Sequence, residues 1–388
     1  MSTPDAQRRP SVIVFFTDQQ RADTLGALGN PVGLTPNVDL MAREGVLFEA
    51  ACSTNPVCAP ARSALLTGRY PTATGVWRNG IGLDSDIPSM ARAFKSSGYT
   101  TGYIGKWHLS LENPVPPHER ADWDHWLASN ILEFTSDAYR TVVWDDDGEP
   151  VELPGYRADA IVDAAIRFVA DHAEEPFFLF VSLVEPHHQN EHDDYPAPRV
   201  YRDTYTSAWI PPDLVARTGT APQHIGGYYG QIKRVDEAFG RLRDALEGLQ
   251  LTESTIVAYT ADHGSHFKTR NAEYKRSGHD SSIRVPMVIA GPGFPAGARV
   301  RAPVSTVDVA ATLLEAVGAE QLPGGQGSSL RRFLGEAPSD ETVLVQVSES
   351  ETGRGIRTAR WMFYVAAEGP SRRLADRLPG EGAVRPGG

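Results

Sequence analysis

The feature that most constrains the fold is a set of short apolar runs, each of which ends abruptly in polar or charged residues. The runs cover residues 11–16, 99–104, 177–184 and 255–259. Continuous apolar runs of this length, rich in β-branched and aromatic residues, are typical of strands buried in a parallel sheet. Residues 156–173 and 225–247, which lie between these runs, carry apolar side chains at helical spacing. The sequence therefore predicts an α/β fold with a large, mostly parallel sheet flanked by helices.

Groups capable of chemistry follow each of the four predicted strands. They are Asp18, Lys106 with His108, His187, and Asp262 with His263. In open α/β sheets, ligands bind beyond the carboxyl ends of the strands, so we expect these side chains to converge in space. Polar residues after a strand are also what an ordinary turn contains. It is their joint occurrence that favours a functional site.

Cys58 stands at the predicted start of a helix. Pro60 fixes a helical φ at what we expect to be the first helical position, and Gly68 is the expected stop. The thiol would then lie where free backbone N–H groups and the helix dipole favour negative charge. The alternative is a buried cysteine in an ordinary helix, because free cysteine is among the most buried residue types.

The acidic groups of the set predict a metal site. Asp18 and Asp262 are ligands suited to a hard divalent cation, with Gln19 as a neutral oxygen donor and His263 as a nitrogen donor. Such a site favours Ca²⁺ or Mg²⁺. Zn²⁺ is less favoured because most of the donors are oxygens, although His263 leaves it open.

The cations and histidines suggest an anionic ligand. Arg62, Lys106 and Lys275 would place positive charge around it, and His108 and His187 are candidates for proton transfer because histidine titrates near neutrality. Each cation could equally be a solvated surface charge, and a lone histidine is often structural.

Together these motifs resemble a known family. The C-x-P-x-R of residues 58–62, followed by L-T-G-R-Y-P, resembles the signature of the type I sulfatases, which belong to the alkaline-phosphatase-like superfamily. Residues 105–108, G-K-W-H, and 262–264, D-H-G, match two further family motifs. His187 lies at the family's P-H element and Lys275 at the spacing of its late lysine. The resemblance covers roughly residues 10–295.

The resemblance implies a mechanism. A maturation enzyme would oxidise Cys58 to formylglycine, which hydrates to a geminal diol. One hydroxyl would attack the sulfur of a small-molecule sulfate ester and form a covalent sulfate ester. His187 or Lys275 would assist the alcohol that leaves in this attack. The second hydroxyl would then lose its proton toward His108, which expels sulfate and restores the aldehyde. A plain serine or cysteine nucleophile could not release the group in this way.

The resemblance also implies a fold and a set of site residues. The fold would be an alkaline-phosphatase-like sandwich with a large central sheet and a small, truncated C-terminal sheet. One divalent cation, Ca²⁺ first, with Mg²⁺ or Mn²⁺ as alternatives, would sit at the metal ligands, and Asn79 would line the pocket. The implied catalytic residues are Cys58, Arg62, Lys106, His108, His187 and Lys275, and the implied metal ligands are Asp18, Gln19, Cys58, Asp262 and His263.

The sequence departs from the family pattern at two positions, and two other functions stay open. The family often has two adjacent aspartates where this chain has Asp18-Gln19, and often serine where it has Ala61. The Asp262-His263 pair also resembles the metal ligands of phosphonate monoester and phosphodiester hydrolases. A third possibility is a non-catalytic anion-binding protein in which Cys58 stays a thiol.

Composition bounds the remaining expectations. A net charge of −12 with a pI near 5.4 argues against nucleic acid and anionic membranes as partners. No apolar run reaches the roughly 18 residues of a membrane span, and no signal peptide is visible, so the prediction is a cytoplasmic protein. The expected divisions are a polar tail at 1–10, a catalytic domain at 11–335, a partial C-terminal subdomain at 336–367 and a disordered tail at 368–388. Residues 112–154 are expected to form an excursion from the core rather than a domain.

Overall fold

A computed structural model describes residues 9–189, 191–335 and 341–367. The predicted disordered tail, the predicted boundary near residue 336 and nearly all of the predicted N-terminal tail lie outside these residues. No helix within the described ranges is long and apolar enough to cross a membrane.

A ten-stranded sheet forms the centre of the molecule. Its strands are β1 Ser11–Thr17, β2 Val46–Cys52, β3 Thr100–Lys106, β4 His125–Ser129, β5 Arg140–Trp144, β6 Pro150–Pro154, β7 Phe177–Ser182, β8 Thr255–Ala261, β9 Met287–Ala290 and β10 Ala298–Ser305. Their order across the sheet is β10-β2-β9-β8-β1-β7-β3-β4-β5-β6. Only β9 and β5 run against the others. The four strands predicted from apolar runs are β8, β1, β7 and β3, which are adjacent at the centre.

Helices cover both faces of the sheet. They are α1 Pro36–Glu44, α2 Cys58–Thr67, α3 Pro71–Thr74, α4 Met90–Ser96, α5 Leu132–Thr135, α6 Arg157–Asp171, α7 Arg199–Tyr205, α8 Pro212–Val215, α9 Ala221–Gly248, α10 Asp280–Ile283 and α11 Asp308–Ala316. Short 3₁₀ turns span Ala22–Thr24, Gly26–Leu28, Pro117–Glu119, Thr252–Ser254 and Leu330–Phe333.

The central strand β1 shows how the layers are held together. Because side chains alternate along a strand, Val12, Val14 and Phe16 pack with α2, α4 and α11 on one face. Ile13 and Phe15 pack with α1, α6 and α9 on the other. Every residue of β1 is therefore buried, which explains its unbroken apolar sequence. The predicted α/β sandwich is confirmed.

The expectation for residues 112–154 was wrong. This stretch extends the central sheet: β4 pairs in parallel with β3, and the hairpin β5–β6 continues to the edge. Trp123 and Trp126 are buried, and the Trp126 ring stacks on Tyr103 of β3 with ring centroids 5.4 Å apart. Large aromatic area, rather than a regular apolar period, attaches this stretch to the core.

A small antiparallel sheet follows, as predicted. It consists of β11 Val343–Val347, β12 Gly353–Arg357 and β13 Met362–Ala366. Its inner face packs on Cys52 and Ile283 of the main body. The turn after β11 reaches the segment that precedes α2, where Asn55 Nδ2 donates to Ser348 Oγ at 3.0 Å. Next to it, the carboxylate of Glu349 accepts a hydrogen bond from the backbone N–H of Asn79 at 2.6 Å.

Candidate active site

The two aspartates are brought together by strand register. β1 and β8 are adjacent and parallel, with Thr17 opposite Ala261, so Asp18 and Asp262 leave the sheet side by side. The backbone N–H of Asp262 donates to the carbonyl of Thr17 at 3.2 Å. Both carboxylates are fully buried.

Helix α2 places Cys58 and Arg62 against these carboxylates. The helix begins at Cys58, two residues earlier than predicted, and Pro60 occupies its third position. A proline is tolerated there because the first N–H groups of a helix have no partner within it. The N–H of Ala59 is instead capped by Asn79 Oδ1 at 3.1 Å. Gly68, with φ +63°, ends the helix as expected.

One helical turn separates Cys58 from Arg62, so both point the same way. Cys58 Sγ lies 3.6 Å from Asp18 Oδ1 and 3.3 Å from His263 Nε2. Arg62 Nη2 donates to Asp18 Oδ2 at 3.0 Å and lies 3.3 Å from Asp262 Oδ2. The guanidinium of Arg62 thus holds the two carboxylates in place.

Four ligand atoms form a compact group that suits a cation. One atom each from Asp18, Cys58, Asp262 and His263 lie within 4.8 Å of one another. Asp262 Oδ2 is buried and has no hydrogen-bond partner among the described residues, because its contact with Arg62 lacks hydrogen-bond geometry. Burial and the charge of Asp18 raise the pKa of Asp262 to about 6. Two crowded carboxylates with an unsatisfied oxygen and a nitrogen donor fit a hard divalent ion.

Gln19 turns sharply beside this group. Its φ is +66°, and its backbone N–H donates to Asp262 Oδ1 at 3.0 Å. The side-chain Nε2 donates to Tyr195 Oη at 3.1 Å. That leaves Gln19 Oε1 buried and without a hydrogen-bond partner in the described chain, so this oxygen is free to serve as a ligand.

Lys106 lies behind the carboxylates and does not line the cavity described below. Its Nζ contacts Asp18 Oδ2 at 2.8 Å and Glu133 Oε1 at 2.6 Å. Burial acts to lower the pKa of Lys106, but these two carboxylates raise it above its ordinary value. Burial would likewise raise the pKa of Asp18, yet the neighbouring cations, Lys106 first, hold it well below its usual range. The pair is therefore ionised. Arg62 and Lys106 accordingly bind protein carboxylates, and neither is among the side chains that line the cavity.

Lys275 joins the cysteine to two histidines. Its Nζ lies 2.9 Å from Cys58 Sγ, 3.1 Å from His187 Nε2 and 3.1 Å from His263 Nε2. The Nδ1 atoms of the histidines face the carbonyls of His188, at 2.6 Å, and Gly264, at 2.9 Å. Each Nδ1 therefore carries the proton, and each Nε2 presents a lone pair. Burial and then Lys275 hold the pKa of His187 well below its ordinary value.

His108 lies in the segment that follows β3, two residues after Lys106 in sequence. Its φ is +62°, and its backbone N–H donates to the carbonyl of Asn130 at 2.6 Å. Its Nδ1 is buried without a hydrogen-bond partner in the described residues. Burial, reinforced by Lys106, lowers the pKa of His108 to about 3. The ring is therefore neutral at physiological pH.

Cys58, His108, His187 and Lys275 line one cavity of about 390 Å³. Its wall includes Cys58, Asn79, His108, Glu133, His187 and Lys275. Burial and Asp18 act to raise the pKa of the Cys58 thiol, but Lys275, Lys106 and His263 outweigh them and lower it to about 6. A thiolate, or any nucleophile that replaces it, is stabilised at this position.

The family model for sulfatases matches residues 10–319. This chain belongs to the type I sulfatase family. Its fold and its enzyme class follow: it is a sulfatase of the alkaline-phosphatase-like superfamily, and the reaction of that family is hydrolysis of sulfate esters.

Relatives of this sulfatase act on varied esters. It is 33% identical over 393 residues to an ulvan-active sulfatase of Formosa agariphila, an alignment that covers 95% of this chain and 75% of that protein. It is 24% identical to a choline-sulfatase of Rhizobium meliloti, over 94% of this chain and 80% of that one.

Solved structures share its fold. The crystal structure of yidJ from Bacteroides fragilis matches with a TM-score of 0.84 at 27% identity, covering 95% of this chain and 88% of that one. A phosphonate monoester hydrolase from Silicibacter pomeroyi matches with a TM-score of 0.73 at 22% identity, covering 93% and 87%. At that identity the second match shows the fold alone.

Sequence reasoning missed three residues of the sulfatase cavity. They are Glu133, which contacts Lys106, and His188 and Tyr274. The His188 ring stacks on His187, with centroids 4.5 Å apart, and lies at a tilt to the Tyr274 ring, with centroids 4.3 Å apart. The doubled histidine after Pro186 was a usable signal for His188. Glu133 lies in the stretch that carried no regular period, so nothing local marked it.

His188 should make the sulfatase sensitive to acid. Burial, followed by Lys275, lowers its pKa to about 3, whereas the unfolded chain binds this proton near pH 6.5. Stability from the neutral ring is complete above pH 6.5 and falls as pH drops below it. We expect His188→Gln to reduce the loss of unfolding free energy between pH 6.5 and 5.5 by about 1 kcal/mol. Urea denaturation at both pH values measures this. His118→Gln, at a side chain that is 74% exposed, is the control, and an unchanged pH slope in His188→Gln would refute the prediction.

Proposed function

We propose that this sulfatase cleaves sulfate monoesters with residue 58 as the nucleophile, after oxidation of Cys58 to formylglycine, and with one divalent cation, Ca²⁺ in the first instance. The observation that carries the proposal is the position of Cys58 Sγ, which is buried in the wall of the cavity and contacts Asp18, His263 and Lys275. Production of active enzyme would then require a formylglycine-generating enzyme in the host.

The oxidised residue and the cation would supply complementary chemistry. Hydrated formylglycine would place a hydroxyl where the thiol sulfur stands. A cation held by Asp18, Asp262, His263 and Gln19 would polarise the ester and favour ionisation of that hydroxyl. Arg62 keeps the two aspartates in place for this role, with its Nη2 3.0 Å from Asp18 Oδ2.

Lys275 is the better placed of the two candidates for protonating the leaving alcohol. His187 Nε2 accepts from the Lys275 ammonium at 3.1 Å, so Lys275 holds the proton of the pair. His187, whose Nδ1 is fixed by the carbonyl of His188, orients that ammonium. The positive charge on Lys275 also stabilises negative charge that builds on the ester oxygens as the bond to sulfur breaks.

His108 is suited to the opposite proton transfer. It lines the same cavity, its Nδ1 has no partner among the described residues, and its pKa near 3 keeps the ring neutral. A neutral imidazole can take the proton from the second hydroxyl of residue 58, which is the step that would release sulfate and restore the aldehyde.

A second candidate is the hydrolysis of phosphonate monoesters or phosphodiesters on the same residues. The Asp262-His263 pair favours it, because this pair resembles the metal ligands of those hydrolases. A third is anion binding without catalysis, in which the cations that lower the pKa of the Cys58 thiol, Lys275 first among them, would attract the anion.

Rates on matched esters test the first proposal against the second. The substrates are 4-nitrophenyl sulfate, 4-nitrophenyl phenylphosphonate and bis(4-nitrophenyl) phosphate, each before and after dialysis against a chelator. We expect the highest kcat/KM on the sulfate, loss of that activity after dialysis, and recovery on adding Ca²⁺. Faster turnover of the phosphonate would favour the second candidate, and activity that survives metal removal would contradict the role of the cation.

A further inference from the structure

Glu133 is a buried carboxylate on the cavity wall that the steps above do not use. It belongs to α5, directly after the strand β4 that pairs with β3, and only 3% of its surface is exposed. Gln189 Nε2 donates to its backbone carbonyl at 2.6 Å, which fixes the segment. The same cavity holds Cys58 and His108.

The two oxygens of this carboxylate have different surroundings. Oε1 receives the Lys106 ammonium at 2.6 Å. Oε2 is buried and has no hydrogen-bond partner within the described residues. Burial acts to raise the pKa of Glu133, but Lys106 and His108 lower it, so the side chain is ionised. An ionised oxygen that is buried without a protein donor is costly.

The fold does not need this carboxylate to neutralise Lys106. Asp18 already accepts from the same ammonium at 2.8 Å. Glu133 adds a further negative charge to a region that contains Asp18 and Asp262, and its open oxygen still lacks a donor. Because the side chain lines the cavity, a ligand in the cavity is the partner that remains.

The other charges on the wall indicate what that ligand carries. Lys268 Nζ is paired with Asp193 Oδ2 at 2.7 Å, and Arg276 Nε with Glu349 Oε2 at 2.5 Å. Because both cations are already paired with carboxylates, this part of the cavity wall offers little attraction for a second anionic group. Glu133 can therefore accept a hydrogen bond from a donor group on the ligand.

We propose that Glu133 determines specificity by accepting a hydrogen bond from a hydroxyl or ammonium group on the leaving alcohol. The enzyme would then select sulfate esters of polyols, sugars or amino alcohols over simple alkyl and aryl sulfates. This inference rests on the proposed function. A site built to pair with a substrate donor discriminates strongly against an analogue without it, because its own polar group is left unsatisfied.

Three esters of one ring size test the inference. Cyclohexyl sulfate carries no donor, and 2-aminocyclohexyl sulfate carries an ammonium. In myo-inositol monosulfate, each ring carbon that does not bear the sulfate carries a hydroxyl. The variant Glu133→Gln keeps an oxygen for Lys106 but presents an amide donor where Oε2 stood. Glu112→Gln, the same change at an exposed side chain, is the control.

We expect the wild-type enzyme to prefer at least one donor-bearing ester over cyclohexyl sulfate by about a hundredfold in kcat/KM. Glu133→Gln should reduce that preference to less than about tenfold, and Glu112→Gln should leave it unchanged. Whichever donor-bearing ester the wild-type enzyme prefers identifies the donor as a hydroxyl or an ammonium. An active wild-type enzyme without a preference, or a preference that survives in Glu133→Gln, would overturn this inference but leave the proposed function in place.

Two further outcomes are covered. If Glu133→Gln turns over none of the three esters, the variant Glu133→Asp is measured instead, because it keeps the charge for Lys106 but retracts the oxygens by one methylene. Loss of the preference in Glu133→Asp supports the inference, and full retention of the preference overturns it. A wild-type enzyme that is inactive on all three esters and on 4-nitrophenyl sulfate overturns the proposed function and this inference with it.

Discussion

Replacing Cys58 with alanine should lower kcat on an aryl sulfate by about ten-thousand-fold or more, the scale of loss when an enzyme's nucleophile is removed. The reason is geometric. Cys58 Sγ stands within 3.6 Å of Asp18 Oδ1 and 2.9 Å of Lys275 Nζ, so no neighbouring side chain can take over its place. Alanine fits the helix well, so the loss should come without unfolding.

The second cysteine provides the matched control. Cys52 is also buried, but it packs against the small C-terminal sheet instead of lining the cavity. Cys52→Ala should keep kcat within a few fold of the wild type, once the fraction of folded protein is taken into account. A Cys58→Ala variant with comparable activity would remove the basis for residue 58 as the nucleophile.

Mass spectrometry of the same chain tests the oxidation itself. Trypsin releases residues 44–62 as one peptide that contains both cysteines. With conversion, only Cys52 should react with an alkylating reagent, and the mass should show that an aldehyde oxygen has replaced the sulfur of residue 58. Two alkylated cysteines in protein made with the maturation enzyme present would instead favour the anion-binding alternative.

Asp18→Asn should have the second largest effect, because Asp18 serves both the metal group and the buried cations. The amide keeps the shape but removes one of the two carboxylates. We expect kcat/KM to fall about a thousandfold, which is the several kcal/mol that a bound cation contributes to charge stabilisation. Arg62 and Lys106 would also lose an ionic partner, and we expect the unfolding free energy to drop by about 2 kcal/mol.

Calorimetric titration with Ca²⁺ and urea denaturation measure the two effects separately. Asp86→Asn, at an exposed position, should change neither. Wild-type affinity for Ca²⁺ in Asp18→Asn would exclude this carboxylate from the cation site. Unchanged stability would mean that Glu133 and Asp262 suffice as partners for the two cations.

The sequence predicted the central architecture well where the signal was local. An unbroken apolar run such as 11–16 exists because both faces of its strand are covered, and the run ends where the backbone leaves the sheet. The placement of Asp18 beside Asp262 then follows from parallel register. The outer strands β4, β5 and β6 were missed because their burial depends on tryptophan packing against β3, a tertiary effect that leaves no regular pattern.

The sequence indicated which side chains come together in the candidate site, but not the directions in which they point. Motif spacing could indicate Arg62 and Lys106 but could not show that both turn toward Asp18 rather than into the cavity. Whether Lys106 meets Glu133 depends on how β3 and β4 align, and that contact spans 27 residues of sequence. The start of α2 was misplaced because its N-terminal cap comes from Asn79, which is distant in sequence from Cys58.

The way the small C-terminal sheet closes over the segment before α2 has a consequence for the order of biosynthesis. Ser348 and Glu349, which bind Asn55 and Asn79, are translated long after Cys58, and in the finished fold only 1% of Cys58 is exposed. If residue 58 is oxidised as we propose, the oxidising enzyme would have to reach this side chain on a nascent or incompletely assembled chain. Protein refolded from the denatured, unoxidised state should remain refractory to later conversion.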